Sequence, residues 1–314
     1  MARVGIIGTG FVGRAWAISY ARAGHEVALW DGQQDAPQAA LSYIEQLLPD
    51  LAANGLLNDV PEAVRGRMRA AATLEDALAG ADYVQESTFE DVAVKREIFA
   101  RMDVIAPPGC ILASSTSAIL PSMFTEHLAG RARCVVVHPI NPPYLIPAAE
   151  VVPSPWTDPE VLQRAAQFLR EAGHAPIVMQ KELDGFVMNR LQGALLEEAF
   201  RLVADGYASQ EDIDIGIRDG LALRWSFIGP FETIDLNAPG GVRDYVNRYQ
   251  GLYAGLTAQM QRRVDWAGPV LDGIERDRRA HVPADKLQER QAWRDRRLMA
   301  LMAHKRRAAK DIGS

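Results

Sequence analysis

Residues 3–13, RVGIIGTGFVG, leave the chain few folds to choose from. A short apolar run, Arg3 to Ile7, enters Gly8-Thr9-Gly10-Phe11-Val12-Gly13 directly and continues into a helical stretch, Arg14 to Ala23. Glycines so spaced between a strand and a helix permit a tight turn and let a pyrophosphate approach the unpaired amides at the helix N-terminus. A second apolar run, Glu26 to Trp30, ends on Asp31. That is about 20 residues past the glycines, where a dinucleotide site needs an acid for the ribose 2'-hydroxyl. A glycine turn that only packs helix on sheet has no need of that acid. Asp31 also repels a 2'-phosphate, and Gly32-Gln33-Gln34-Asp35 supplies no arginine to hold one. Gly8, Gly10, Phe11, Val12, Gly13 and Asp31 are therefore expected to bind NAD rather than NADP.

The alternation of strand and helix continues. Ala36 to Leu57 reads as a helical hairpin broken at Pro49 and at Asn54-Gly55. Strands follow near Arg69 to Ala72, at Asp82 to Glu86, Gly109 to Ala113 and Cys134 to Val137, with helices over Leu74 to Ala79, Glu90 to Ile105 and Leu120 to Leu128. Such alternation predicts an α/β fold, a Rossmann-type, doubly wound parallel sheet. After a last strand at Pro176 to Met179 the pattern turns helical, with Asp184 read as the cap of a helix running to about Ala204. Residues 1–182 are thus expected to form the NAD-binding domain and 183–314 an all-helical substrate and dimerisation domain, a division suited to 314 residues at roughly 150 per domain.

Composition narrows the partners. A net charge of -6 with interspersed signs gives no basic footprint for nucleic acid or anionic membranes. No apolar run approaches the ~18 residues of a membrane span, and the first strand starts without a secretory leader, so a cytoplasmic protein with a small-molecule substrate is expected. Cys110 and Cys134 lie in apolar runs and read as small buried hydrophobes, and no metal-ligand cluster is visible.

The chemistry concentrates in HPINPPYLIPAAE, His138 to Glu150. Pro139 biases His138 towards an extended strand end, and three further prolines forbid a helix before a second strand, Ala148 to Val152, that carries Glu150. Paired side by side, these strands bring imidazole and carboxylate within hydrogen-bond reach, which makes His138 a candidate general base. Taken alone, a strand-end histidine is more often satisfied by a backbone carbonyl. Ser114-Ser115-Thr116-Ser117 follows the carboxyl end of a strand, where open α/β sheets bind ligands, though such a run also serves as a turn and helix cap. Asn189, on an apolar helix face, needs either a backbone partner or a substrate. Arg224 stands in the apolar run Leu221 to Phe227, where an unpaired guanidinium is costly; Glu232 or Asp235 is one partner for it, a substrate carboxylate the other. The arginine-rich stretch Val264 to Lys310 reads as solvated helices, and the aromatic Trp225 to Phe231 as core or subunit contact.

GTGFVG with Asp31, the hydroxyl run ending in Ser117, HPINP with Glu150, and DGFVMNRL with Asn189 together resemble the L-3-hydroxyacyl-CoA dehydrogenase superfamily over most of the chain. HPINPPYLIPAAEVVP and GLALRWSFIGPFETIDLNA look like its λ-crystallin branch. The resemblance implies a His138–Glu150 catalytic dyad, substrate-oxygen ligands in Ser117 and Asn189, and Glu90 and Lys95 near the nicotinamide. It also implies a dimer and NAD-dependent oxidation at C3 of a small hydroxy acid, with L-gulonate, giving 3-dehydro-L-gulonate, as the expected substrate. Carnitine and 3-hydroxyacyl-CoA are same-class alternatives, and a non-catalytic, crystallin-like nucleotide-binding protein is an alternative of another class. In the acyl-CoA enzymes of this superfamily the helical hairpin is a platform for CoA. Here Ala23 to Val64 holds no Lys or Arg but has Glu45, Asp50, Asp59 and Glu62, which repel phosphate.

Overall fold

The computed structural model of the chain describes residues 1–313. They divide into two compact units, Met1–Met188 together with Asp295–His304, and Asn189–Arg294 together with the residues from Lys305.

The first unit is built on one eight-stranded sheet in the order β3-β2-β1-β4-β5-β6-β7-β8. Its strands are β1 (Arg3–Ile7), β2 (Glu26–Trp30), β3 (Met68–Ala70), β4 (Tyr83–Glu86), β5 (Ile111–Ser114), β6 (Cys134–Pro139), β7 (Ala148–Pro153) and β8 (Ala175–Val178). All pairings are parallel except β6 with β7, which are antiparallel because the loop between them is too short to carry a crossover. Alternate residues feed two separate cores: Val4, Ile6, Val135 and Val137 pack with Trp16 and Tyr20, while Ile7, Val136 and Val152 pack with Phe99 and Phe124. A sheet covered on both faces explains why its strands read as continuous apolar runs. Cys110 and Cys134 are buried free thiols, and burial pushes both up to about 12.

The covering helices of this unit are α1 (Phe11–Arg22), α2 (Ala36–Ala53), α3 (Pro61–Gly66), α4 (Leu74–Leu78), α5 (Val92–Ile105), α6 (Pro121–Thr125) and α7 (Pro159–Glu171). The predicted break at Pro49 does not occur. Proline sits inside α2, which runs through it because Leu41, Ile44, Leu48 and Leu51 form one buried stripe whose burial outweighs the lost hydrogen bond. The chain reverses instead at Asn54-Gly55, where Gly55 has φ +66, and α3 forms the second arm of the hairpin. The helix α6 is also shorter than its sequence suggests.

The second unit is helical: α8 (Met188–Ala204), α9 (Gln210–Ile215), a π-wound segment Gly216–Leu221, α10 (Ala222–Trp225), α11 (Pro230–Leu236), α12 (Gly241–Met260), α13 (Pro269–His281) and α14 (Leu287–Ile312). It exposes large apolar side chains, including Leu223, Phe227, Phe231 and Leu252. No helix among the described residues is long and apolar enough to cross a membrane.

Two helices differ from the sequence reading. Asp184 does not cap α8, which begins at Met188; a turn with Gly185 at φ 76 and Phe186 at φ 50 stands in between. The stretch Val264 to Lys310 is not uniformly solvated either. The central part of α14 joins the first unit, where Met299 is buried with Leu48 and Leu51 and the Asn54 side chain reaches its sulfur. Tyr144, in the loop between β6 and β7, donates its hydroxyl to Asp295 at 3.3 Å. The short stripe Leu298, Met299, Met302 is hidden in sequence by the charges around it. Truncation there tests the docking: Met299→Ala should cost about 2–5 kcal/mol in denaturant unfolding. Arg296→Ala, which removes only an exposed pair with Asp50, should change nothing measurable.

Candidate functional site

At the carboxyl edge of β1, each glycine of the turn has its own reason. Gly8 takes φ +89, and a Cβ there meets the Ser87 carbonyl at 2.6 Å; a Cβ on Gly13 meets the Gly8 oxygen at 1.9 Å. Gly10 has nothing within 4 Å. That open space at the start of α1, whose first turn carries no side-chain cap and no acid, fits a pyrophosphate against free amides. Phe11 is exposed at the same edge, while Val12 packs against the core. Asp31 stands across the edge, half-buried. One of its oxygens accepts from the Thr9 amide at 2.7 Å and the Thr9 hydroxyl at 3.1 Å, and the other from the Gln33 amide at 3.0 Å. It therefore ties the glycine turn to the end of β2. The residues present fit NAD.

The antiparallel pairing of β6 and β7 puts His138 directly opposite Glu150. Residues opposite one another share a face of the sheet. His138 Nδ1 lies 2.6 Å from Glu150 Oε2, with both side chains buried. The other carboxylate oxygen accepts from the Val187 amide at 2.6 Å and the Met188 amide at 2.9 Å, the N-terminus of α8. Burial pushes the Glu150 carboxyl up, but the bonds from His138, Met188 and Val187 outweigh it and hold the group below the usual carboxylate value. The Phe186 ring stands 5.7 Å from the imidazole. This arrangement fixes the tautomer: with Nδ1–H donated to Glu150, the Nε2 lone pair is available as a base.

The hydroxyl run is held by acids. Ser114 ends β5, and its hydroxyl donates to Glu86 Oε2 at 2.6 Å. Glu90 Oε1 accepts from the Thr116 hydroxyl at 2.5 Å, the Ser117 amide at 2.8 Å and the Ala118 amide at 3.1 Å, which leaves Ser117 exposed at the tip of the turn. Lys95 is buried, bonded to both oxygens of Glu86 at 3.0 and 3.1 Å, and 3.8 Å from Glu90. Its ammonium is thus taken up by the two glutamates and does not reach the surface. Sequence reasoning missed Glu86, and missed Gln85, which bridges Tyr20, Tyr83 and Ser115 in the core. The available signal was two polar residues at the end of the otherwise apolar β4, a position where buried groups need partners.

In the second unit, Asn189 is half-buried in the first turn of α8, the next residue after the Met188 amide that binds Glu150. Arg224 differs from the sequence expectation. Its run is not buried, because α10 is a single exposed turn following the π-wound segment, so the guanidinium is exposed and carries no desolvation cost that demands an anion. Neither Glu232 nor Asp235 forms an ion pair with it; Asp235 accepts the Val242 amide instead.

Comparison with known proteins places both halves in one family. Residues 3–183 match the NAD binding domain of 3-hydroxyacyl-CoA dehydrogenase and residues 185–267 its C-terminal domain. A lambda-crystallin homolog from Mus musculus is 37% identical over 300 residues, 94% of either chain. An L-carnitine dehydrogenase of Streptomyces griseus is 39% identical over 248 residues, 79% of this chain and 73% of the other. The solved structure of 5-formyl-3-hydroxy-2-methylpyridine 4-carboxylic acid 5-dehydrogenase, an NAD+-dependent dismutase, superposes with a TM-score of 0.81 at 28% identity over 98% of both chains.

Three expectations follow from the geometry. Asp31→Ala should lose discrimination between NAD and NADP, read as the ratio of kcat/KM for the two cofactors, and should also weaken both because Thr9 is released. An unmoved ratio places the ribose elsewhere. His138→Gln should lower kcat roughly 10²- to 10⁴-fold with NAD affinity intact. Glu150→Gln should also lower kcat, because a neutral amide offsets the charge of an imidazolium less than a carboxylate does.

Proposed function

Because the chain belongs to the 3-hydroxyacyl-CoA dehydrogenase family and is an NAD-dependent oxidoreductase acting on CH–OH groups, we propose that its substrate is a small 3-hydroxy acid, L-gulonate foremost. The observation that carries this reading is the charge of the helical hairpin. Its acids take up the cations that come near them, Arg65 at Glu45, Arg67 at Asp59 and Arg296 at Asp50. Arg14 lies over the Tyr43 ring. A CoA pyrophosphate finds an acidic platform there, whereas a small acid needs none. Near full-length similarity to lambda-crystallin homologs supports the same choice.

His138 Nε2 takes the proton of the C3 hydroxyl, and Glu150 offsets the imidazolium charge that results. NAD, when bound, accepts the hydride. Ser117 and Asn189 bond the reacting oxygen, and Glu90 keeps the Ser117 turn in place. Arg224 pairs with the substrate carboxylate, a role that its exposed guanidinium, free of any ion pair with Glu232 or Asp235, leaves open to it. The exposed Leu223, Phe227, Phe231 and Leu252 support a homodimer through the helical unit. Free buried thiols suit a cytoplasmic protein.

Carnitine is the second reading, favoured by the similarity to L-carnitine dehydrogenases and by the exposed Trp225 and Phe231, which suit a quaternary ammonium. NADH formation measured over L-gulonate, carnitine, 3-hydroxybutyrate and 3-hydroxybutyryl-CoA separates these readings, with the highest kcat/KM expected for L-gulonate. Preference for the CoA ester would sink the small-acid reading. Arg224→Met should raise KM for L-gulonate at least tenfold, roughly 1.4 kcal/mol, with NAD affinity unchanged. A folded variant with the parent KM excludes the pairing.

A further inference from the structure

Phe186 is the only non-glycine residue with positive φ among the described residues, at φ 50. The left-handed region is unfavourable for a side chain with a Cβ, and a bulky residue held there marks a place where the surroundings over-determine the backbone. Those surroundings are visible. The Phe186 ring is fully buried in the core cluster that includes Phe124, Met179 and Val136. The preceding Gly185 is also left-handed, at φ 76, so two successive residues turn the chain sharply. The Phe186 amide is satisfied by the Leu183 carbonyl at 2.9 Å. The next two amides, Val187 and Met188, point together at one oxygen of Glu150. This is also where α8 fails to begin at Asp184, since the turn diverts its first amides to the carboxylate.

We infer that Phe186 is a positioning residue for the His138–Glu150 pair: the burial of its ring holds a left-handed backbone that aims the Val187 and Met188 amides at Glu150, while the same ring walls the imidazole. An extended or right-handed residue at this position sends those amides elsewhere. Glu150 then keeps only its bond to His138 and remains buried without the two donors that balance its charge. The conformation, not the apolar volume alone, is what the pair requires. The inference rests on reading His138 and Glu150 as the catalytic pair, but its test needs no substrate.

The measurement is the titration of the Glu150 carboxyl carbon by NMR in the full chain with 13C-labelled glutamate, assigned by its loss in Glu150→Gln. Phe186→Ala removes the ring that holds the backbone yet keeps a Cβ that disfavours the left-handed region. Phe186→Gly removes the same ring but adopts that region freely. Both open the same space, so a change of solvation is common to them and their difference reports the backbone. Loss of two amide donors makes the carboxylate bind its proton more tightly, so Phe186→Ala should raise the Glu150 midpoint by about one pH unit or more, and Phe186→Gly should keep it within about 0.3 of the parent. Met188→Pro, at a first helical position where proline is tolerated, deletes one of the two donors with Phe186 intact and should raise the midpoint by about half a unit. If Phe186→Ala does not fold, the glycine and proline variants carry the test. Equal midpoints in the alanine and glycine variants, an unfolded or shifted glycine variant, or an unmoved midpoint in Met188→Pro each overturn the inference. A side chain that merely fills the core leaves alanine at least as stable as glycine and gives the two variants the same midpoint.

Discussion

A buried carboxylate governs the arrangement of the first unit. Glu150 is fully buried, and a charge in that setting costs several kcal/mol unless its lone pairs are met by donors. Three are supplied: the imidazole of His138 across the β6–β7 pair, and the two amides that precede and open α8. The antiparallel turn in an otherwise parallel sheet supplies the first, and the left-handed turn at Gly185-Phe186 supplies the other two. Because its native proton affinity is lowered, Glu150 contributes stability that is present above the usual carboxylate range and lost as pH falls through the native value. Under the proposed reading of His138 and Glu150, reactivity and fold stability draw on the same three bonds.

The same principle recurs at the ends of β4 and β5. Glu86 is buried and answered by Lys95, Ser114 and Thr88. Lys95 in turn lies close to Glu90, which gathers the amides of the Ser117 turn. A buried ionic cluster therefore reaches the exposed Ser117 turn through Glu90, whose own side chain is nearly half exposed. A network in which every member is satisfied rigidifies its surroundings, which is what a site for hydride transfer needs from the shell behind it.

Charge also shapes the rim. The hairpin carries no basic residue before Arg65 of α3, which lies at Glu45, and its other acids are met by Arg67, just past α3, and by Arg296 of α14. The middle of α14 buries Met299 against α2 and holds Tyr144 through Asp295, so the C-terminal helix steadies the loop that joins β6 to β7, the strands of the His138–Glu150 pair. An acidic hairpin and a docked helix together form a surface unlike a phosphate platform.

Local sequence determined a great deal. The glycine spacing, the apolar runs with their alternation, Asp31 at its distance, and the prolines between His138 and Glu150 are short-range constraints of sterics and periodicity, so the doubly wound sheet, its character as an NAD-binding domain and the pairing of β6 with β7 were all legible. What the sequence hid depends on contacts between distant segments. Pro49 passes through α2 because a long apolar stripe outweighs one lost hydrogen bond, and α14 docks because three apolar residues amid many charges find a core more than two hundred residues earlier in the chain. Arg224 reads as buried in its apolar run, yet a short exposed helix leaves it in solvent. Gln85 and Glu86 gain meaning only when their partners from other strands are in place. The helix expected from Asp184 starts at Met188 because Glu150, 38 residues earlier, takes its amide. Periodicity reports how a segment prefers to fold; where its polar groups find partners is settled by the tertiary structure, because burial makes an unpaired charge cost more than a local preference is worth.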